Sequence, residues 1–344
     1  MTVPIDDGYA MPGEYAPHAR CWMAWPPDGE PFLGKLDPAR DAYAAVARAI
    51  AAFEPVTMAA RPEHAADAAR RCGSGVSILE MGLNDAWMRD MGPTFLVDGK
   101  GGLAGVHWRF NAWGEKGAYD LDEKVGRLVS DHLGVRRYSA RPFVLEGGAF
   151  HVDGEGTLIT TESCLLNPNR NPDLGRADIE KRLRDYLGVE TIIWLPGKTD
   201  PGTDGHVDGI ACFVRPGVAM VSAPYGSDDP MRPILEENAA CLRAARDARG
   251  RKIEVIPLVR CRRRIPVWPS GEKCGLTYVN FYIANGGVVM PSYDDIEDAR
   301  AAETVARAFP DRRVVQVPAL DIAIGGGMIH CITQQQPAGD TAAA

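Results

Sequence analysis

One plan recurs five times along the 344 residues, and this recurrence restricts the fold more than any single motif does. Each copy opens with a short β-rich run: "VSILEM" (76–81), "RRYSARPFVL" (136–145), "VETIIWLP" (189–196), "KIEVIPLV" (252–259) and "RRVVQVPA" (312–319). A loop then leads into a polar signature, in order "WMRD", "EGG", "GHVD", "YVN" and "GGGMIHC". In the first four copies the signature opens two apolar strands around an Asp-Gly, Pro-Gly or Asn-Gly turn, residue types that tight hairpin connections require. Amphipathic helical stretches follow over 118–134, 174–187, 230–249 and 294–308. "DDIEDARAAETVARAFP" is representative, with acids in the first turn and apolar residues at helical spacing. The fifth copy runs into the end of the sequence, and the helical stretch 37–53 with "EPVTMAA" behind it is available to fill the missing place.

Units that fail to bury their faces alone must share a core. The expectation is therefore an α/β fold in which the five modules close into one ring, a single domain over 1–344 with 338–344 as a disordered tail. A doubly wound sheet is the alternative, and the antiparallel pairing of neighbouring strands in the hairpins speaks for the ring. In the ring, the five polar signatures converge on the centre.

Composition narrows the function. Hydrophobic residues make up 45% and charged residues 24%, ordinary for a soluble globular chain. No apolar run is long enough to span a bilayer and no signal-peptide pattern opens the sequence, so a cytoplasmic protein without a membrane partner is expected. The eight cysteines form no Cys-x-x-Cys pair, which excludes a zinc ribbon and a thioredoxin-like motif. A net charge of −8 argues against nucleic acid as the main partner and suits a small cationic substrate. The basic run "RCRRRIP" (260–266) reads as a solvated loop. A homo-oligomer is compatible with the sequence, which gives no direct view of oligomeric state.

The signatures contribute Asp90, Glu146, His206, Asp208, Asn280 and Cys331. If each lies on a strand, His206 and Asp208 point to the same side, whereas His330 and Cys331 point apart. His206 is thus the better partner for Cys331 in a Cys-His nucleophilic site, and a buried structural thiol is the competing reading. The tetrapeptide "HVDG" occurs twice, and its first copy (151–154) lies beyond its signature, so it is assigned to a turn. Two His-x-Asp pairs with a further carboxylate and a cysteine could bind a divalent ion. No helix carries a His-x-x-x-His pair and carboxylates dominate the set, so neither a metal nor a cofactor is expected. Gly325, Gly326 and Gly327 offer backbone freedom and close approach to a ligand, or simply a flexible loop.

Long stretches carry a resemblance: "MPGEYAPH" with "RCWMAWP", "NDAWMRDMGPTF", "FNAWG", "EGGAFHVDGEGTLITTESCLLNPNRNP", "DGHVDG", "VNFYIANGGVVMP" and "GGGMIHCITQQQP". Over about residues 10–337 the chain resembles the agmatine deiminases, guanidino-group-modifying enzymes of the five-bladed α/β-propeller (pentein) fold. The resemblance implies ββαβ modules around a central cleft, with Cys331 as nucleophile and His206 as general acid/base. It implies Asp90, Glu146 and Asp208 as the carboxylates around the guanidinium, with Trp87 and Gly327 completing the substrate-binding set. The implied reaction is hydrolysis of agmatine to N-carbamoylputrescine and ammonia, feeding polyamine synthesis. The chain departs from the family pattern over 26–36 and 260–276, and at Gly209 and Met328, positions expected to lie near the substrate's tail. Deimination of arginine, methylarginine or peptidyl-arginine, a metal-dependent hydrolase and a non-catalytic binding module on the same scaffold are the alternatives.

Overall fold

The structure is a computed structural model and describes residues 2–29, 32–197, 200, 202–268 and 270–339. The turn dipeptides reverse the chain where glycine tolerates a left-handed backbone: Gly99 (φ 67°), Gly154 (φ 69°), Gly217 (φ 74°) and Gly286 (φ 70°). Each of them joins an antiparallel pair, and these four pairs open four of the five sheets described below.

The first sheet holds β1 (His18–Ala24), β2 (Val56–Ala60) and β3 (Val76–Glu80). The second holds β4 (Thr94–Val97), β5 (Leu103–Arg109) and β6 (Arg136–Val144), and the third β7 (Phe150–Val152), β8 (Thr157–Thr161) and β9 (Thr191–Leu195). The fourth holds β10 (Ala211–Arg215), β11 (Val218–Ala223) and β12 (Glu254–Val259). A ribbon of β13 (Arg264–Pro266) and β14 (Lys273–Gly275) then precedes the fifth sheet: β15 (Tyr282–Ala284), β16 (Gly287–Ser292) and β17 (Arg313–Pro318). The last strand, β18 (Thr333–Pro337), returns to the first sheet and lies antiparallel to β1, with Met23 opposite Thr333.

In the second to fifth sheets the hairpin is followed by a parallel strand, a step that needs a long crossover. Helices Val125–Leu133, Arg176–Leu187, Arg232–Ala244 and Asp298–Ala308 supply it. Their apolar stripes face inward: Arg176–Leu187 buries Ile179, Leu183, Tyr186 and Leu187, a 3.6-residue pattern. In the first sheet the helix Leu36–Ala51 makes the same crossover between β1 and β2, so the N-terminal helix does complete the C-terminal module. The helix Ala65–Cys72 and the parallel pairing of β3 extend that sheet beyond the common plan. This helix was not expected, because in eight Ala- and Arg-rich residues it buries only Ala68 and Cys72.

Three expectations need correction. The stretch 118–134 is helical only from Asp122, and 230–249 ends at Ala244. There the Asp247 carboxylate accepts from the N–H groups of Arg249 (3.0 Å) and Arg251 (2.8 Å), which stabilises a turn in place of another helical turn. "RCRRRIP" is not a freely solvated loop: Arg260 is buried against Asp229 (3.3 Å), Arg262 pairs with Glu297 (2.8 Å), and Arg264 opens the ribbon. Of the expected tail, Ala338 donates to the Pro17 carbonyl (2.8 Å), and residues 340–344 lie outside the described residues. Among the described residues no helix is long and apolar enough to cross a membrane.

The three glutamines of β18, improbable in an ordinary core strand, each find a partner. Gln334 donates to the Pro93 carbonyl (2.7 Å), Gln335 accepts from Arg89 (2.6 Å), and Gln336 accepts from the Trp22 indole (2.9 Å). Buried amides held this way fix the strand, and of their side-chain atoms only the Gln334 oxygen is left buried without a partner among the described residues.

Candidate functional site

Each polar signature occupies the same topological slot, the segment that leads into the first strand of a sheet. Asp90 sits on the helical turn Met88–Met91 before β4, and Glu146 precedes β7. His206 and Asp208 lie on a tight turn before β10, Asn280 precedes β15, and Cys331 precedes β18. None of these six residues is on a strand, so the alternation argument used the wrong local geometry. His206 and Asp208 nevertheless line one cleft with Cys331, and His330 stays outside it, reaching Asp208 and Glu14 instead.

Contacts run from the first signature to the fifth and back to the first. The Gly148 N–H donates to Asp90 Oδ1 (2.9 Å), and Glu146 Oε2 lies 3.7 Å from His206 Nε2. Asn280 Nδ2 donates to the Asp208 carbonyl (3.2 Å) and approaches Cys331 Sγ at 3.3 Å. The Arg89 N–H then donates to the Cys331 carbonyl (3.1 Å). Cys331 Sγ is also 3.5 Å from Asp208 Oδ2, and His206 Nδ1 is 3.8 Å from Asp90 Oδ1. All of these side chains are buried.

The tight approach depends on glycine. A Cβ on Gly148 would stand 2.5 Å from His206 Nδ1 and 3.0 Å from Asp90 Oδ1 and Asp208 Oδ2. One on Gly327 would stand 2.5 Å from the Trp87 ring and 3.0 Å from the Cys331 Cβ. Of the three consecutive glycines only Gly326 is left-handed (φ 100°); Gly327 admits the Trp87 indole, and Gly325 admits the Phe32 ring with the indole behind it.

Burial sets every charge in the site against its neighbours. It pushes the Asp90 carboxyl up, reinforced by Asp208 and Glu146 and opposed by His206. Burial also works against the Glu146 carboxylate, but Arg170 outweighs it and holds the group below the usual range. Asp208 is likewise held low against burial by His330. Burial alone would favour neutral His206, yet the attraction of Asp90 prevails and raises its pKa well above that of free imidazole. The Cys331 thiol is pushed well up, first by burial and then by Asp208 and Asp90. At neutral pH the resting pair is thus a thiol and an imidazolium.

Residues that the sequence reading left out of the site support this group. Arg170 Nε donates to Glu146 Oε1 (2.6 Å), and the Trp113 indole donates to Asp90 Oδ2 (2.8 Å). His330 bridges Asp208 Oδ2 and Glu14 Oε2, 2.9 Å from each. The first "HVDG" copy is only half a turn: Asp153 and Gly154 form it, but His151 is the middle residue of β7, buried, with Nε2 3.5 Å from Glu14 Oε2. The one available signal was the run "NPNRNP" around Arg170, since an arginine in a polar loop otherwise reads as solvated.

The cleft has two arms that meet at Cys331. One is lined by Trp87, Trp113 and Trp268 with Lys116, the other by Met231, Leu235, Arg260 and Leu276. Gly326 and Gly327 line both, and Met328 the second only. Among the described residues two buried groups have donor atoms close enough to hold a metal: Glu14, His151 and His330, and Glu146, Cys164 and His206.

Comparison with known proteins agrees over the whole chain. Residues 10–337 match the sequence profile of the Porphyromonas-type peptidyl-arginine deiminases. The chain is 46% identical to the agmatine deiminase of Pseudomonas aeruginosa, with 98% of each covered. The solved agmatine deiminase of Enterococcus faecalis superposes with a TM-score of 0.95 at 37% identity, covering 98% of both chains. A cysteine-to-serine variant of the C. jejuni agmatine deiminase, solved with substrate bound, superposes with a TM-score of 0.84 at 25% identity, covering 95% of this chain and 96% of that one.

Proposed function

Because the chain belongs to the Porphyromonas-type peptidyl-arginine deiminase family, we propose that it hydrolyses agmatine to N-carbamoylputrescine and ammonia in the cytoplasm. The observation that carries this reading is the closed circuit of buried contacts that sets Asp90, Glu146, His206, Asp208 and Cys331 around one cleft. The same circuit supports a five-bladed propeller closed as one catalytic domain, since its contacts return from the fifth signature to the first. Relatives named agmatine deiminase over 98% of their length, one of them solved while catalysing its reaction, support the substrate.

The chemistry follows from the residue types. A guanidinium carbon is a poor electrophile because its charge is spread over three nitrogens. Asp90, Glu146 and Asp208 grip those nitrogens and aim the carbon at Cys331, while Trp87 and the Gly327 backbone wall the slot. With the guanidinium bound, Cys331 gives its thiol proton to solvent, and the resulting thiolate attacks, forming the S–C bond. The imidazolium of His206 gives its proton to one nitrogen, the C–N bond breaks, and ammonia leaves an amidino-cysteine. His206, now neutral, takes a proton from water as the water adds to that carbon. The C–S bond then breaks, releasing the carbamoyl product and returning Cys331 to its thiol.

Arg260 bears on the choice of substrate. It lines the cleft and is the natural partner for an α-carboxylate, but its guanidinium already faces Asp229 at 3.3 Å. A decarboxylated substrate needs no such partner, which favours agmatine over arginine. Ammonia release from agmatine, arginine, methylarginine and a peptidyl-arginine, for wild type and Cys331→Ser, tests both parts. Agmatine should be turned over fastest and the variant should be inactive. Faster turnover of arginine would overturn the substrate, and activity in Cys331→Ser would overturn the mechanism.

A further inference from the structure

We propose that Glu146, Cys164 and His206 form an inhibitory site for a divalent transition-metal ion, zinc by chemical preference. Their donor atoms lie within 4.8 Å of one another, and all three residues are buried. Zinc takes sulfur, imidazole and carboxylate at about 2.0–2.3 Å in a tetrahedron, which spaces its donors roughly 3.3–3.7 Å apart. Glu146 Oε2 and His206 Nε2 are 3.7 Å apart, too far for a hydrogen bond and suited to two donors on one ion.

The second observation concerns what these atoms lack. Among the described residues, Glu146 Oε2 and both ring nitrogens of His206 have no partner in hydrogen-bonding geometry, although the side chains are 0% and 3% exposed. Buried groups left open in this way call for a ligand. The substrate's guanidinium answers for part of this and makes no use of Cys164, which sits 0% exposed on the helical turn Glu162–Leu165. Arg170 occupies only Glu146 Oε1 and leaves Oε2 facing the imidazole. The other candidate group, Glu14 with His151 and His330, is already satisfied. Both nitrogens of His330 are engaged, and His151 Nδ1 accepts from the Phe213 N–H (3.2 Å).

Coordination displaces the Cys164 thiol proton and the proton on His206, so the ion's two charges are met by one thiolate and one carboxylate. It also withdraws Glu146 and His206 from the guanidinium, so inhibition is competitive with substrate and reversed by a chelator. The coordination itself is independent of which guanidino compound is the substrate.

The test uses the full chain and Co2+ as a spectroscopic probe in the Cys331→Ser background, where the nucleophile's sulfur is absent. A thiolate-to-cobalt band should appear on titration and be lost in Cys331→Ser/Cys164→Ala and in Cys331→Ser/Cys164→Ser, the latter guarding against a packing defect. In parallel, Zn2+ should inhibit the enzyme with an otherwise native Cys331, and Cys164→Ser should need at least about tenfold more Zn2+ for the same inhibition while keeping its metal-free rate. A second-sphere partner alone is worth about 10–100-fold in affinity, and a ligand should not fall below that range. An unchanged cobalt band without Cys164, or unchanged zinc sensitivity in Cys164→Ser, overturns the site.

Discussion

Replacing Arg170 with Met probes how the site keeps its charges. The side chain is buried; its Nε donates to Glu146 Oε1 at 2.6 Å, Nη1 reaches Asp204 Oδ2 at 2.6 Å, and Nη2 donates to the Thr203 carbonyl at 3.1 Å. Met keeps much of the volume and removes the charge, so the fully buried Glu146 loses its counter-ion. Stripping one partner from a buried pair costs about 3–5 kcal/mol, because the other charge stays desolvated. With an unfolding entropy of about 2.1 cal/mol/K per residue, a chain of this length should melt about 4–7 °C lower. The sign with pH follows from Glu146, whose pKa is depressed in the fold. Such a group stabilises above its unfolded pKa, and that contribution is lost as pH falls through the folded value. In Arg170→Met the carboxyl titrates upward, so the deficit against wild type is full at neutral pH and shrinks through the acidic range. Adding Glu146→Gln removes the stranded charge, and the double variant should recover most of the melting temperature but no turnover. Scanning calorimetry between about pH 5 and 8 reads both. A double variant no more stable than Arg170→Met would refute the desolvation reasoning.

Two further outcomes are expected. Iodoacetamide should modify Cys331 slowly at neutral pH, and faster with a small amidinium such as benzamidinium bound, because the cation offsets Asp90 and Asp208 and lowers the thiol pKa. Peptide mapping by mass spectrometry reads this, and an unchanged or slower rate sinks substrate-assisted ionisation. Gly148→Ala forces a Cβ to within 2.5 Å of His206 Nδ1 and should lower kcat/KM by about 10²-fold through misplacement of reacting groups. Retention of more than a tenth of wild-type kcat/KM would count against that placement.

The repeating fold was legible because its punctuation is local. Asp-Gly, Pro-Gly and Asn-Gly need glycine's left-handed backbone whatever surrounds them, and Gly99, Gly154, Gly217 and Gly286 all adopt it. The convergence of the signatures was legible for a related reason, since equivalent slots in repeated modules point to a common centre. Side-chain direction came out as expected, but not for the reason the alternation gave. A period of two applies only on a strand, and His206 and Cys331 lie on turns. The supporting shell was harder still. Glu14 reaches His330 across 316 positions, and Arg170 meets Glu146 from a loop, so neither contact leaves a periodic trace. His151 was misjudged because a turn motif two residues on masked a buried position inside a short strand.

The charge pattern around Cys331 bears on how the proposed nucleophile can sit buried among so many acids. Four buried carboxylates, Glu14, Asp90, Glu146 and Asp208, face two guanidinium groups, Arg89 and Arg170, and two imidazoles, His206 and His330. Both imidazoles have raised pKa values, so protonating them balances the two carboxylates that the arginines leave over. That resting state is neutral only while Cys331 remains a thiol, and an added thiolate would stand 3.5 Å from Asp208 with no cation among its hydrogen-bond partners in the described residues. Asn280 offers a single amide donor at 3.3 Å, worth far less than a charge. A bound guanidinium adds the one positive charge that a thiolate requires, and the site regains neutrality with its nucleophile switched on. A neutral ligand of the same shape, such as a urea, brings no such charge and should leave alkylation of Cys331 no faster than in the free enzyme.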